Sequence, residues 1–143
     1  MIHAEDRVAV RGSANETFRY LADFTHLPEW DPGIARVKRL DSGPLARGAR
    51  FEVVARFGGR EVPMTYELAV YDETSLVAEL RGVASRVRAV DRIRVTPKGS
   101  GAEVHWAADL ELEGVLRLTT PVMRRLFART ARKAMSGLRA RLG

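Results

Sequence analysis

Thr120-Pro121-Val122-Met123-Arg124-Arg125-Leu126-Phe127-Ala128-Arg129-Thr130-Ala131-Arg132-Lys133-Ala134-Met135-Ser136-Gly137-Leu138 dictates what the remainder of the chain has to do. Proline suits the first helical position, where its missing N–H would lack a partner anyway, and the threonine before it offers a capping hydroxyl. Val122, Leu126, Thr130, Ala134 and Leu138 recur at a spacing of four, flanked by Met123 and Phe127. That is one apolar face at helical period. Arg124, Arg125, Arg129, Arg132, Lys133, Arg139 and Arg141 occupy the other face. Residues 114–143 therefore read as one long helix, with Thr120-Pro121 as its true start. Two uses of such a helix are compatible: a surface helix with a solvated basic side, or an apolar stripe that plugs a curled sheet and leaves room for a ligand.

Upstream of it the sequence alternates as strands do. Residues 2–11 read as a first strand, best defined at Val8 and Val10. Gly12 to Asn15 turns the chain, with Ser13 or Asn15 capping a short helix that carries Phe18, Leu21 and Ala22 inward. Asp23 to Pro32 holds a second short helix, with Leu27, Trp30 and Ile34 as its apolar anchors. Trp30-Asp31-Pro32-Gly33 ends it, because proline stops a helix and glycine permits a tight reversal. A strand then runs from Ile34 to about Leu40.

Ala49, Phe51, Val53, Ala55 and Phe57 share a face of the next strand, and Gly58-Gly59 makes a hairpin turn. Val62, Met64, Tyr66, Leu68 and Val70 share a face of the returning strand. Ser75 to Arg81 is a further strand, with Gly82 interrupting it. Val87, Ala89, Asp91, Ile93 and Val95 face one way on the strand that follows, and Arg86, Arg88, Arg92 and Arg94 the other. Val104, Trp106, Ala108, Leu110 and Leu112 share a face of the last strand, with Glu103, His105, Asp109 and Glu111 opposite. Acids and arginines on the outer faces of these last two strands are expected to pair across the ladder. The order is one strand, two short helices, a six-strand meander and a long helix, an α+β pattern. An antiparallel sheet with one apolar face must cover that face, and the C-terminal helix is long enough to do so.

The chain has 143 residues, 45% of them hydrophobic, enough for one domain with a real core. No apolar run is long enough to span a bilayer. The N-terminus is charged where a secretion signal needs apolar residues, so a cytoplasmic location is expected. The absence of cysteine excludes disulfides, thiol nucleophiles and thiolate metal sites. His3, His26 and His105 lie far apart without a ligand spacing, so neither a metal nor a cofactor is expected. The net charge of +6 is uneven: residues 114–143 hold eight basic groups and no acid, leaving 16 basic and 18 acidic groups in residues 1–113. A basic helix face can meet an acidic partner, RNA or membrane by general electrostatics. No aromatic residues interleave those arginines for base stacking, so specific nucleic-acid binding is not expected.

Several stretches carry a resemblance. They are Val8-Ala9-Val10, Ser13-Ala14-Asn15-Glu16-Thr17-Phe18, Leu21-Ala22-Asp23-Phe24, Leu27-Pro28-Glu29-Trp30-Asp31-Pro32-Gly33-Ile34, Val95-Thr96-Pro97 and Gly99 to Val104. Together they resemble the START-like, helix-grip superfamily (the SRPBCC group), and within it the small polyketide cyclase/dehydrase-type proteins. The resemblance spans essentially the whole chain and rests on residues that build the fold. It implies a curved antiparallel sheet gripping the long helix, with a deep apolar cavity between them. Members bind lipids, sterols, polyketides or plant hormones, some cyclise or aromatise polyketides, and others serve as partners in larger assemblies. The fold does not choose among these.

The expected ligand is a small hydrophobic molecule, bound by Phe51, Val53, Met64, Tyr66, Leu68, Ala89, Asp91, Trp106, Met123, Phe127 and Thr130. Asp91 falls on the inner face, where an apolar surround would raise its pKa and suit it to acid or base work. The competing readings are a bulge near Ala89 or an arginine partner at the cavity mouth. Tyr66 offers a hydroxyl to a ligand carbonyl or, alternatively, bonds a backbone carbonyl in the core. Asp91 and Tyr66 are thus the catalytic candidates should the chain be an aromatase/cyclase. Trp106 either walls the ligand site or packs in the core, where its indole N–H needs a partner. Trp30 is expected in the core, and His26, near the short helices, is a weaker catalytic candidate.

Overall fold

The computed structural model describes residues 1–143. In chain order it contains β1 (Ile2–Val10), α1 (Ala14–Ala22), a 3₁₀ turn at Phe24–His26, and α2 (Leu27–Trp30). Then come β2 (Ile34–Arg39), β3 (Arg50–Phe57), β4 (Arg60–Asp72), β5 (Val77–Ala84), β6 (Val87–Lys98) and β7 (Gly101–Leu112). A 3₁₀ segment at Gly114–Thr119 leads into α3 (Thr120–Leu142). The seven strands form one antiparallel sheet in the order β1-β7-β6-β5-β4-β3-β2. Strands β2 to β7 are a meander joined by short turns, except for the ten residues between β2 and β3, and β1 lies beside β7, with Val8 opposite Val104. This is the α+β helix-grip architecture expected from the sequence. No helix is long and apolar enough to cross a membrane.

Alternation puts the inner faces of the strands into one cluster of 30 buried residues with α1, α2 and the end of α3. Ser13 caps α1, its hydroxyl accepting from the Glu16 N–H at 3.2 Å, while Asn15 lies inside the helix. The outer face carries charge. Glu79 takes Arg81 and Arg92, Glu5 takes His105 at 2.7 Å, and Asp109 takes His3 at 2.7 Å. One of the expected β6–β7 pairs forms, Arg92 with Asp109 at 3.5 Å, and Lys98 at the end of β6 reaches Glu103 at 3.3 Å. Glu103 and Asp109 of β7 also reach β1, at Arg7 and His3.

Four local expectations need correction. First, the α-helix starts at Thr120, as Thr120-Pro121 indicates, but the six residues ahead of it, expected to belong to the same helix, are 3₁₀. The threonine hydroxyls donate backwards, Thr119 to the Leu116 carbonyl and Thr120 to the Arg117 carbonyl, both at 2.6 Å, so neither caps α3. Second, Val122 is exposed. A helix turns about 100° per residue, so a spacing of four drifts by about 40° a step and cannot stay on one face from Val122 to Leu138. The inward face begins at Met123 and Phe127 instead.

Third, β5 runs on through Gly82 to Ala84. Gly82 is opposite Tyr66, and a Cβ there would stand 2.5 Å from the Tyr66 ring, so the glycine makes room for that ring rather than ending the strand. Fourth, a bulge between Leu68 and Val70 reverses the faces of β4. Val70 turns out to solvent, and Tyr71 turns in to stack on Phe18 with centroids 5.3 Å apart.

The sheet holds α3 by its second half. Ala134, Met135 and Leu138 are its buried residues, Arg139 bonds Asp6 at 2.9 Å, and Arg141 bonds Glu29 at 3.2 Å. At Gly137 the backbone comes against the Trp30 carbonyl so closely that no Cβ would fit. Ahead of Ala134 the helix is only partly buried, and a space opens beneath it.

Candidate functional site

That space is a cavity of about 630 Å³ between α3 and the inner face of the sheet. Its floor comes from β3 (Val53), β4 (Met64, Tyr66), β6 (Ala89, Asp91) and β7 (Trp106), and α2 with its following turn supplies Leu27, Trp30 and Asp31. Met123, Phe127 and Thr130 of α3 form the roof. Of the 33 lining residues 23 are hydrophobic, so the walls present chiefly apolar surface.

Nine of the eleven residues expected at a ligand site line this cavity, and Phe51 and Leu68 do not. Both are wholly buried and have no surface to offer a ligand. Alternation assigns the face of a strand but not how far along it the cover fits tightly. Here Phe24, on the turn after α1, packs 6.1 Å from Phe51, 5.2 Å from Tyr66 and 6.3 Å from Trp106, centroid to centroid. It closes one end of the inner face and leaves the other end open. Trp30 is buried as expected, and it also walls the cavity, edge-on to Trp106 at 5.2 Å.

Asp91 faces inward. Strand β6 keeps its register past Ala89 on both sides, so no bulge intervenes, and no arginine reaches the carboxylate. Its partner is the Trp106 indole N–H, which donates to Oδ2 at 2.9 Å and thereby meets its own need for an acceptor. Burial pushes the Asp91 pKa up to about 7, opposed by that hydrogen bond and aided by the charges of Asp31 and Asp109.

Asp31 is the site residue that sequence reasoning missed. Within Trp-Asp-Pro-Gly it reads as a turn residue, and it does perform that role: Oδ1 accepts from the Gly33 N–H at 2.8 Å. Its burial arises from a distant element, since the Thr130 methyl of α3 comes within 3.4 Å of where a Gly33 Cβ would be. Burial pushes its pKa up to about 6 against the Gly33 bond. The short polar turn following Trp30 contains no local sign of this.

Tyr66 is nine-tenths buried, and its ring rests on Gly82. Its hydroxyl bonds no backbone carbonyl or other protein group and faces the cavity. Burial, then the charges of Asp91 and Asp31, raise its pKa well above that of a free phenol, so it stays protonated and able to donate. The other acids in the lining already have side-chain partners, Glu5 the His105 ring and Asp6 the Arg139 guanidinium. The exposed lining residues Arg56, Arg60, Ser85 and Arg132 mark the opening, between the β3–β4 hairpin, the β5–β6 turn and α3. His26 is not among the lining residues: it stacks on Tyr20 at 4.5 Å, and its Nδ1 bonds the Tyr20 carbonyl at 2.9 Å. His3 and His105 belong to the outer face.

The geometry thus holds an apolar chamber, two carboxylates without a cation partner, and one free phenol. Such a set can orient a polar end of a hydrophobic molecule, and it can take up or return a proton near neutral pH.

A family model described as polyketide cyclase / dehydrase and lipid transport matches residues 1–143. No match was found among curated proteins. Among solved structures, the chain is similar to the Zhui aromatase/cyclase from Streptomyces sp. R1128, with a TM-score of 0.81, 15% identity, and 97% of this chain and 92% of that one covered. It is similar to a START superfamily protein from Mycobacterium smegmatis, with a TM-score of 0.77, 18% identity, and coverages of 98% and 96%. It is also similar to the protein TTHA0849 from Thermus thermophilus, with a TM-score of 0.76, 19% identity, and coverages of 98% and 94%. At these identities the likeness is one of fold.

Proposed function

Because the chain belongs to the polyketide cyclase / dehydrase and lipid transport family, we propose that it binds a small hydrophobic molecule between its sheet and α3. One observation carries the reading: an apolar cavity of about 630 Å³ encloses a tyrosine hydroxyl with no protein partner. A ligand pocket typically spans a few hundred to about 1,000 Å³ and is mostly apolar, with a few convergent polar groups. The ligand's apolar body lies against Met64, Ala89, Met123 and Phe127. Its polar end meets Tyr66, Asp91 and Asp31. Native mass spectrometry of the purified chain, followed by denaturing extraction, tests this. A bound apolar molecule is expected, at lower occupancy in Phe127→Ala. A bare mass for both proteins, with nothing in the extract, counts against the reading.

A second reading, polyketide cyclisation, is favoured by the carboxylates whose pKa values lie near 7 and 6. The free oxygen of Asp91 removes a proton from a methylene next to a ketone. The C–H electron pair moves to the ketone oxygen, which the Tyr66 hydroxyl stabilises as an enolate. The enolate carbon then attacks a second carbonyl of the same molecule, and the resulting alkoxide recovers the proton held by Asp91. Asp91→Asn is expected to lower turnover of such a substrate by about 10²-fold or more, and Tyr66→Phe by a smaller factor. Turnover unchanged in both variants would refute the assignment.

A further inference from the structure

Three of the seven exposed large hydrophobic residues and a run of unpaired cations lie on the same segment. Val115 is 63% exposed, Leu118 85% and Val122 62%. The spacings of three and four line them up along one side of the 3₁₀ segment and the first turn of α3. The same spacing continues to Arg125 and Arg129, so one row runs from aliphatic to cationic. Of the eight cations after Glu113, only Arg139 and Arg141 form ion pairs, which leaves Arg117, Arg124, Arg125, Arg129, Arg132 and Lys133 without an acid partner. The 3₁₀ segment buries no residue, and the buried residues of α3 begin at Ala134. Leu116, Met123 and Phe127, in the same stretch, face the cavity.

We propose that residues 115–129 dock this protein on an anionic lipid bilayer, with Val115, Leu118 and Val122 entering the interface and the arginines meeting lipid phosphates. Each half of the row answers one half of that partner. Exposed aliphatic side chains gain by entering hydrocarbon, which a nucleic acid does not provide. Arginine matches phosphate with two parallel hydrogen bonds and is drawn to the negative surface. A second copy of the chain is disfavoured on this face, because six unpaired cations would meet six more. Docking in this orientation brings the cavity roof, Met123 and Phe127, to the lipid surface, which offers a bound hydrophobic molecule a route that avoids water. The docking itself does not depend on the cavity being filled.

Co-sedimentation of the full chain with vesicles tests it, using phosphatidylcholine alone and equal parts phosphatidylcholine and phosphatidylglycerol at physiological ionic strength. Binding to the anionic vesicles only is expected. Arg125→Ala/Arg129→Ala is expected to weaken binding roughly thirtyfold, from the attraction of two surface cations. Leu118→Ser/Val122→Ser changes no charge and is expected to abolish most of the binding. Because both positions face solvent, its melting curve should match the wild type and exclude misfolding as the cause. Wild type left in the supernatant with anionic vesicles would overturn the proposal. So would full binding by Leu118→Ser/Val122→Ser, since the face would then be a general polyanion contact, as for RNA.

Discussion

Asp91 could be read from the sequence, and Asp31 could not. Strict alternation from Val87 to Val95 assigns Asp91 to the inner face whatever covers that face. The burial of Asp31 depends on α3 crossing over the Gly33 turn, a contact between residues almost a hundred positions apart. The two carboxylates have a measurable consequence for stability. The folded chain holds the Asp91 proton up to a pKa of about 7, whereas in an unfolded chain an aspartate releases it at its ordinary value of 3.8. Between those values the folded state binds the extra proton, so the contribution of Asp91 to stability falls as pH rises through that range and levels off above it. Asp91→Asn keeps an acceptor for the Trp106 N–H and does not titrate. In urea denaturation the variant is expected to match wild type near about pH 4 and to exceed it by on the order of 3 kcal/mol near about pH 8. An offset that is the same at every pH would contradict a desolvated Asp91.

Among the elements, the order of the strands and most of their faces are legible in the sequence, because a period of two tolerates no drift over eight or ten residues. Helix faces and bulges were less so. The spacing-four stripe of α3 misassigned Val122, since its slow rotation accumulates over four turns, and Met123 with Phe127 marks the true inward face. The extra residue near Ala69 leaves no trace in the hydrophobic pattern, because Val70 and Tyr71 are both credible core residues. Gly82 looked like a break and serves as the seat of the Tyr66 ring. The two halves of α3 are accordingly expected to respond differently to mutation. Leu138, fully buried, should lose about 2–5 kcal/mol on replacement by alanine, whereas Val122→Ala should stay within about 0.5 kcal/mol. Chemical denaturation of both variants checks this, and equal losses would show that the first turns of α3 are packed after all.

For the whole molecule, the meander, the return of β1 and the gripping helix followed from the order of elements, because a one-sided antiparallel sheet has few ways to cover itself. Whether the covered space is filled did not follow, since the same alternation suits a packed core and an open chamber. Phe24 settles the matter locally: it fills the end beside Phe51, while between Ala89, Tyr66 and Phe127 the space remains. The chamber is half closed by the strongly held end of α3 and half by its loosely held beginning, the same part that carries the exposed aliphatics and unpaired arginines. The chamber roof and the exposed aliphatic and cationic row thus share one helix. The most direct test of the chamber is a titration of the purified chain with Nile red, a neutral apolar dye, beside an Ala131→Trp variant that fills the space from α3. Saturable one-to-one uptake with blue-shifted emission is expected for wild type, and little or none for the variant while it still melts cooperatively. No uptake by wild type, or equal uptake by both folded proteins, would contradict an open apolar cavity beneath α3.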